Sequence, residues 1–184
     1  MFLYVDNFLP DELFMQLNKQ MLWRFRPNVR QDNKSESPMR IRTLSENNDY
    51  TESKMLLGKM VPDAINLVKN HMVNVLKFKN PEAHSIWYQY MLPKHFVGKH
   101  HDYNTIRDKK PYQCFSAFLY THGEWQDDWG GELCFNGAEL LPKSNRIIMY
   151  SRDEEHWVNP IKHGNETYNR MFLGISWSTD NDFQ

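Results

Sequence analysis

The chain has 184 residues, 40% hydrophobic and 24% charged, with a net charge of −1. That balance gives no field suited to a nucleic-acid backbone or an anionic membrane, and the length suits one domain able to bury its own core. Two cysteines, Cys114 and Cys134, exclude a disulfide framework; outside any Cys-x-x-Cys pair and inside apolar runs, they read as buried, reduced thiols.

The first five residues, Met-Phe-Leu-Tyr-Val, run straight into Asp6 without a basic region or a long apolar stretch, so they do not read as a signal peptide. No apolar run reaches membrane-spanning length. The expected address is the cytoplasm. Pro10-Asp11-Glu12 is a helix start, and Leu13, Leu17 and Met21 at i, i+4, i+8 predict a helix over 10–24. Residues 26–52 are polar and aperiodic, a long loop with one strand near 39–44. Ile65, Val68, Met72 and Val75 or Leu76 then form the stripe of a helix over 62–77 opened by Pro62.

From His84 onward the pattern becomes strand-like. Candidate strands are 85–92, 113–121, 132–135, 146–150 and 171–177, separated by Gly, Asn, Asp and Pro. Helices first and an antiparallel β region after, with many short strands, point to a sandwich or barrel. The whole reads as a single domain over 1–184, with 1–80 a helical support and 81–184 a β core carrying the site.

The chemistry gathers in that second half. His100 and Asp102 are two apart, so on an extended segment both point to one face and can converge on a metal. His101 falls on the opposite face and reads as a packing or rim residue. A further histidine, His156 or its rival His163, would complete two imidazoles and one carboxylate. That donor set suits non-haem Fe(II) and leaves coordination positions open. Arg170, at the start of the last strand, is a permanent cation able to grip a carboxylate with two parallel hydrogen bonds.

Taken in order, Tyr90, His100-His101-Asp102, Gly130-Gly131-Glu132-Leu133, His156-Trp157-Val158-Asn159-Pro160-Ile161-Lys162-His163-Gly164 and Arg170 resemble the 2-oxoglutarate/Fe(II)-dependent dioxygenase superfamily, in its prolyl-4-hydroxylase-like branch. Val5-Asp6-Asn7-Phe8-Leu9-Pro10 is similar to the lead-in to that family's first helix, so the resemblance spans nearly the whole chain. It implies an α+β, mainly β fold, a double-stranded β-helix (jelly roll) with supporting N-terminal helices. It implies Fe(II) held by His100, Asp102 and His156, the Val158, Pro160 and Gly164 spacing favouring His156 over His163. It implies 2-oxoglutarate held by Arg170, Tyr90 lining the pocket, and ascorbate as a candidate reductant. Aligned on Gly130-Gly131, the position of a further family tyrosine that assists the cosubstrate falls on Leu119, so that contact is expected to be missing. Trp177 is expected to pack under the site, and the glycine pair to be structural. Residues 104–112 are a candidate substrate lid.

The implied reaction is hydroxylation of a C–H bond in an amino-acid side chain, prolyl in a peptide or protein, with release of succinate and CO2. Hydroxylation of a free amino acid or metabolite is the nearest alternative; a non-catalytic jelly-roll binding module and a zinc hydrolase are rivals of other classes. A nucleic-acid partner is not expected. The AlkB-like demethylases continue from their arginine with Arg-x-Asn-x-x-x-Arg, whereas Phe172 and Ser176 stand at those places here.

Overall fold

The structure, a computed structural model, describes residues 2–24, 30–32, 39–46, 60–91, 93–102, 110–163 and 170–182, without the side chains of 20–24, 30–32, 39–46, 60, 90 and 111. The predicted loop at 26–52, most of the candidate lid at 104–112, and Gly164 therefore lie outside the described residues in whole or in part. In the first half the strands are β1 (Phe2–Val5), β2 (Arg30–Asp32) and β3 (Met39–Glu46), with helices α1 (Asp11–Arg24) and α2 (Met60–Asn74). The second half adds β4 (Glu82–Met91), β5 (Val97–His100), β6 (Cys114–Tyr120), β7 (Leu133–Phe135) and β8 (Ala138–Leu140), then β9 (Ile147–Ser151), β10 (His156–Val158) and β11 (Arg170–Ser178).

Two antiparallel sheets result. The larger runs β1-β9-β6-β11-β4-β3-β2 and the smaller β5-β10-β7-β8. This is the expected mainly β, jelly-roll arrangement. The first 80 residues are less helical than the sequence reading had them, since β1 and β2 join the larger sheet as well as β3, the strand expected near 39–44. Four-residue and three-residue strands such as β1 and β2 are too short to show an alternation, which is why the pattern missed them.

The helices cover one face of the larger sheet. In α1, Asp11 and Glu12 occupy the first turn, where acids complement the helix dipole, and Leu17 is buried. In α2, Val61, Ala64, Ile65, Val68 and Met72 form the buried stripe. This helix ends at Asn74 rather than 77. Lys77 takes φ 59, and the amides of Val75 and Leu76 both turn to the carbonyl of His71. A left-handed residue of that kind closes a helix.

Strands β6 and β11 are buried along their whole length because both faces are covered. Phe115, Ala117 and Leu119 of β6, with Met171, Leu173, Ile175 and Trp177 of β11, pack toward the helices. Phe118, Tyr120 and Phe172 turn the other way, into a lumen between the sheets shared with Leu133, Phe135, Ile148, Tyr150 and Val158. Trp177 thus stacks on Phe115 in the helix-covered cluster and not on the lumen side. Neither cysteine is in a disulfide, and both are buried. Among the described residues no helix is long and apolar enough to cross a membrane.

Candidate metal centre and anion pocket

The lumen has an open mouth where β5 meets β10. Their antiparallel register sets His156 directly opposite His100, and directly opposed residues share a face. The two rings lie 4.2 Å apart between centroids. Asp102 follows just beyond the end of β5, its backbone held in both directions to Arg152: its N–H donates to Arg152 O at 3.1 Å and its carbonyl accepts from Arg152 Nε at 2.8 Å. One ligand atom from each of His100, Asp102 and His156 can be chosen so that all lie within 4.8 Å of one another.

The tautomers follow from the neighbours. His100 Nδ1 is 2.9 Å from the Gly98 carbonyl and His156 Nδ1 is 3.0 Å from the Glu154 carbonyl. A carbonyl can only accept, so each Nδ1 carries the proton and each Nε2 keeps its lone pair. Those lone pairs face Asp102, whose Oδ1 is 3.7 Å from His100 Nε2 and 3.9 Å from His156 Nε2. Imidazoles fixed through the distal ring nitrogen, with a carboxylate beside them, are what a divalent transition metal requires. The donor set fits Fe(II).

The site is buried from one side and open on the other. The side chain of His156 is 2% exposed, that of Asp102 22% and that of His100 40%. Burial pushes the Asp102 carboxyl up, but His156, the Ser116 hydroxyl, Arg152 and His100 together outweigh it and hold it below the ordinary carboxylate range. Burial lowers His156, against the opposing pull of Asp102. Both shifts favour the forms that bind metal, an ionised carboxylate and a neutral imidazole. Two residues that sequence reasoning missed complete this wall. Ser116 Oγ donates to Asp102 Oδ2 at 2.8 Å, and the Tyr150 hydroxyl lies 3.0 Å from the same oxygen and 3.1 Å from His156 Nε2. Their signal was a serine and a tyrosine inside otherwise apolar strands.

Deeper in the lumen is Arg170, fully buried. Its Nε donates to the Gly131 carbonyl at 2.8 Å, Nη2 to the Tyr120 hydroxyl at 2.8 Å, and Nη1 lies 3.4 Å from Met91 Sδ. Among the described residues these partners are all neutral. A buried guanidinium without a carboxylate is costly unless an anion joins it. Gly131 makes room: with φ 75, it would bring an added Cβ to 3.2 Å from Arg170 Cδ and 3.1 Å from Ile161. The expected missing hydroxyl is present, because it comes from Tyr120. The alignment was one residue off, and one step along a strand exchanges lumen for helix face; Leu119 indeed packs toward the helices.

Other expected residues fall as follows. Tyr90 is opposite Met171 in the β4–β11 ladder, and its side chain is outside the described residues. Exposed His163 is outside the ligand cluster, and His101 Nδ1 is bound to the Asp153 carbonyl at the rim. His122 is buried against Tyr120 and Trp125.

Residues 86–175 match the family model described as the 2OG-Fe(II) oxygenase superfamily. Among solved structures, the chain is similar to a Pseudomonas putida prolyl-4-hydroxylase at 17% identity, covering 98% of this chain and 92% of that one, with a TM-score of 0.67. A Trichoplax adhaerens prolyl hydroxylase, solved with a hypoxia inducible factor peptide fragment, matches at 17% identity over 97% and 82%, TM-score 0.63. The non-heme alpha-ketoglutarate-dependent carbocyclase SnoK from nogalamycin biosynthesis matches at 8% identity over 96% and 79%, TM-score 0.68. At such identities the likeness is one of fold. Among curated proteins no sequence matches the chain.

Proposed function

We propose that this chain, which matches the 2OG-Fe(II) oxygenase superfamily model over residues 86–175 and is a 2-oxoglutarate-dependent dioxygenase that uses Fe(II), hydroxylates a prolyl side chain in a peptide or protein. We assign the iron to His100, Asp102 and His156 and the distal carboxylate of 2-oxoglutarate to Arg170, with Tyr90 as a further pocket residue. The observation that carries the assignment is a single lumen holding three converging donors at its mouth and a buried guanidinium with only neutral partners within. When bound, Fe(II) would activate dioxygen, the oxidant, with 2-oxoglutarate as the two-electron reductant, one oxygen atom entering the substrate C–H bond as hydroxyl and the other entering succinate as CO2 is released.

The protein's own contribution is placement and exclusion of water. His100 and His156 keep their Nε2 lone pairs inward because backbone carbonyls hold the other nitrogen. Arg170 and the Tyr120 hydroxyl offer a carboxylate two adjacent donors in a dry site, where charge-assisted hydrogen bonds are strong. Tyr120 accepts from Arg170, so its own proton stays free for the anion. The apolar lining from Phe118, Phe172, Leu133 and Ile148 excludes water from the reacting region. Substrate must approach from the exposed side of His100.

A peptide substrate is supported by the prolyl hydroxylases among the structures of like fold, one of them solved with a peptide. The SnoK likeness keeps a small-molecule substrate as the second reading. We place the activity in the cytoplasm and count ascorbate as a candidate reductant. The test incubates the protein with Fe(II), 2-oxoglutarate and a panel of proline-containing peptides, free proline and alkylated single-stranded DNA. Succinate and a peptide gaining one oxygen are expected. Oxygen gained by free proline alone favours the second reading, and DNA dealkylation with no peptide product refutes both.

A further inference from the structure

The two carboxylate oxygens of Asp102 have different surroundings. Oδ1 faces the imidazoles, whereas Oδ2 is turned into the lumen wall toward two hydroxyls. Resting on the ligand assignment above, we propose that Ser116 and Tyr150 are positioning residues for the metal, their hydroxyls engaging Oδ2 so that Asp102 presents Oδ1 alone.

An unrestrained carboxylate has two equivalent oxygens and can bind a cation with one or both. Ser116 and Tyr150 remove that equivalence. They are directly opposite each other in the β6–β9 ladder, so one cross-strand pair delivers both hydroxyls. Both residues are buried. The Tyr150 ring is held edge-on between Phe118 and Phe135, at centroid distances of 5.2 and 5.3 Å.

Tyr150 also touches a second ligand. Its hydroxyl has one proton and two acceptors within reach, Asp102 Oδ2 at 3.0 Å and His156 Nε2 at 3.1 Å. Without metal, that hydroxyl bridges two donors and keeps them close to their binding separation. Once a metal takes the Nε2 lone pair, Asp102 becomes the proton's only acceptor of the two. Metal binding thus tightens the hold on Oδ2, and the site is assembled before the metal arrives.

The test uses the full chain and the metal alone. Mn(II) affinity is measured by calorimetry and the Co(II) visible spectrum is recorded for Tyr150→Phe, Ser116→Ala, Ser116→Thr and Asp102→Ala, with thermal unfolding as the check on folding. Tyr150→Phe and Ser116→Ala should each weaken Mn(II) binding by about 10-fold, within the range usual for outer hydrogen-bond partners of a metal ligand, and should alter the Co(II) bands. Ser116→Thr, which keeps a hydroxyl, should restore both. Folded variants with wild-type affinity and unchanged bands, beside an Asp102→Ala that loses metal, overturn the positioning role and leave the ligand set standing. Tyr150→Phe losing metal as completely as Asp102→Ala makes the tyrosine a ligand and overturns the role too. Asp102→Ala with wild-type affinity refutes the ligand assignment itself. Should Tyr150→Phe not fold, the Ser116 pair decides.

Discussion

The Arg170 guanidinium meets the Tyr120 hydroxyl at 2.8 Å with both side chains fully buried. Arg170→Ala should therefore raise the KM for 2-oxoglutarate and leave metal affinity nearly unchanged, with a loss of roughly 2–4 kcal/mol for a buried charge-assisted contact. Tyr120→Phe should move KM the same way by less, about 1 kcal/mol. Steady-state kinetics in 2-oxoglutarate with calorimetry for the metal checks both. An unaltered KM in Arg170→Ala would move the anchor elsewhere.

His100→Ala and His156→Ala should each lower Mn(II) affinity by roughly 100-fold or more, beyond the loss expected from an outer hydrogen bond. His163→Ala, in an exposed residue outside the cluster, should leave it unchanged. Calorimetry on the three variants separates the rival histidines. Metal lost in His163→Ala and kept in His156→Ala would reverse the assignment.

Gly174 lies under the Trp87 indole, where an added Cβ would sit 2.2 Å from Cε2. Gly174→Ala should destabilise by about 1–3 kcal/mol through overpacking, lowering the melting temperature by roughly 2–4 °C per kcal/mol for a chain of this length. Trp87→Leu in the same chain should recover part of the loss, because the two residues share one contact. Equal melting of wild type and Gly174→Ala would contradict this packing.

Burial lowers the His122 pKa to about 4, while its unfolded value is near 6.5. Between those values the unfolded chain binds more protons, so His122 contributes stability that is lost as pH falls. The loss should be roughly 2 kcal/mol between about pH 7 and pH 4.5. Denaturant titrations at several pH values should show a shallower slope for His122→Leu over this window. Parallel slopes would mean that His122 is not the group responsible.

What could be read in the sequence, and what could not, follows from how local each signal is. Leu13 and Leu17 in one helix, and Ile65, Val68 and Met72 in the other, lie at helical spacing, and the helices are there. His100 and Asp102 were legible because a two-residue spacing converges locally, even though Asp102 lies past the end of its strand. Tyr150 and Ser116 were not, since their meaning comes from a cross-strand pairing that joins positions 34 apart. Tyr120 was missed by a single register step. The burial of His122 was not legible, since the Tyr120 and Trp125 rings that enclose it come together around it only in the fold.

Strand β11 lies between β4 and β6 in the larger sheet, yet it follows every other strand in the chain. During synthesis β4 and β6 therefore emerge without the partner that joins them, and the lumen wall cannot close until β11 inserts. Because the inserting strand also delivers Arg170, closure of the sheet and completion of the anion pocket are one event. Contacts this distant in sequence make assembly slow relative to local folding. Nascent chains halted before β11 should expose two unpaired strand edges to the surrounding cell, a state in which chaperones would find them.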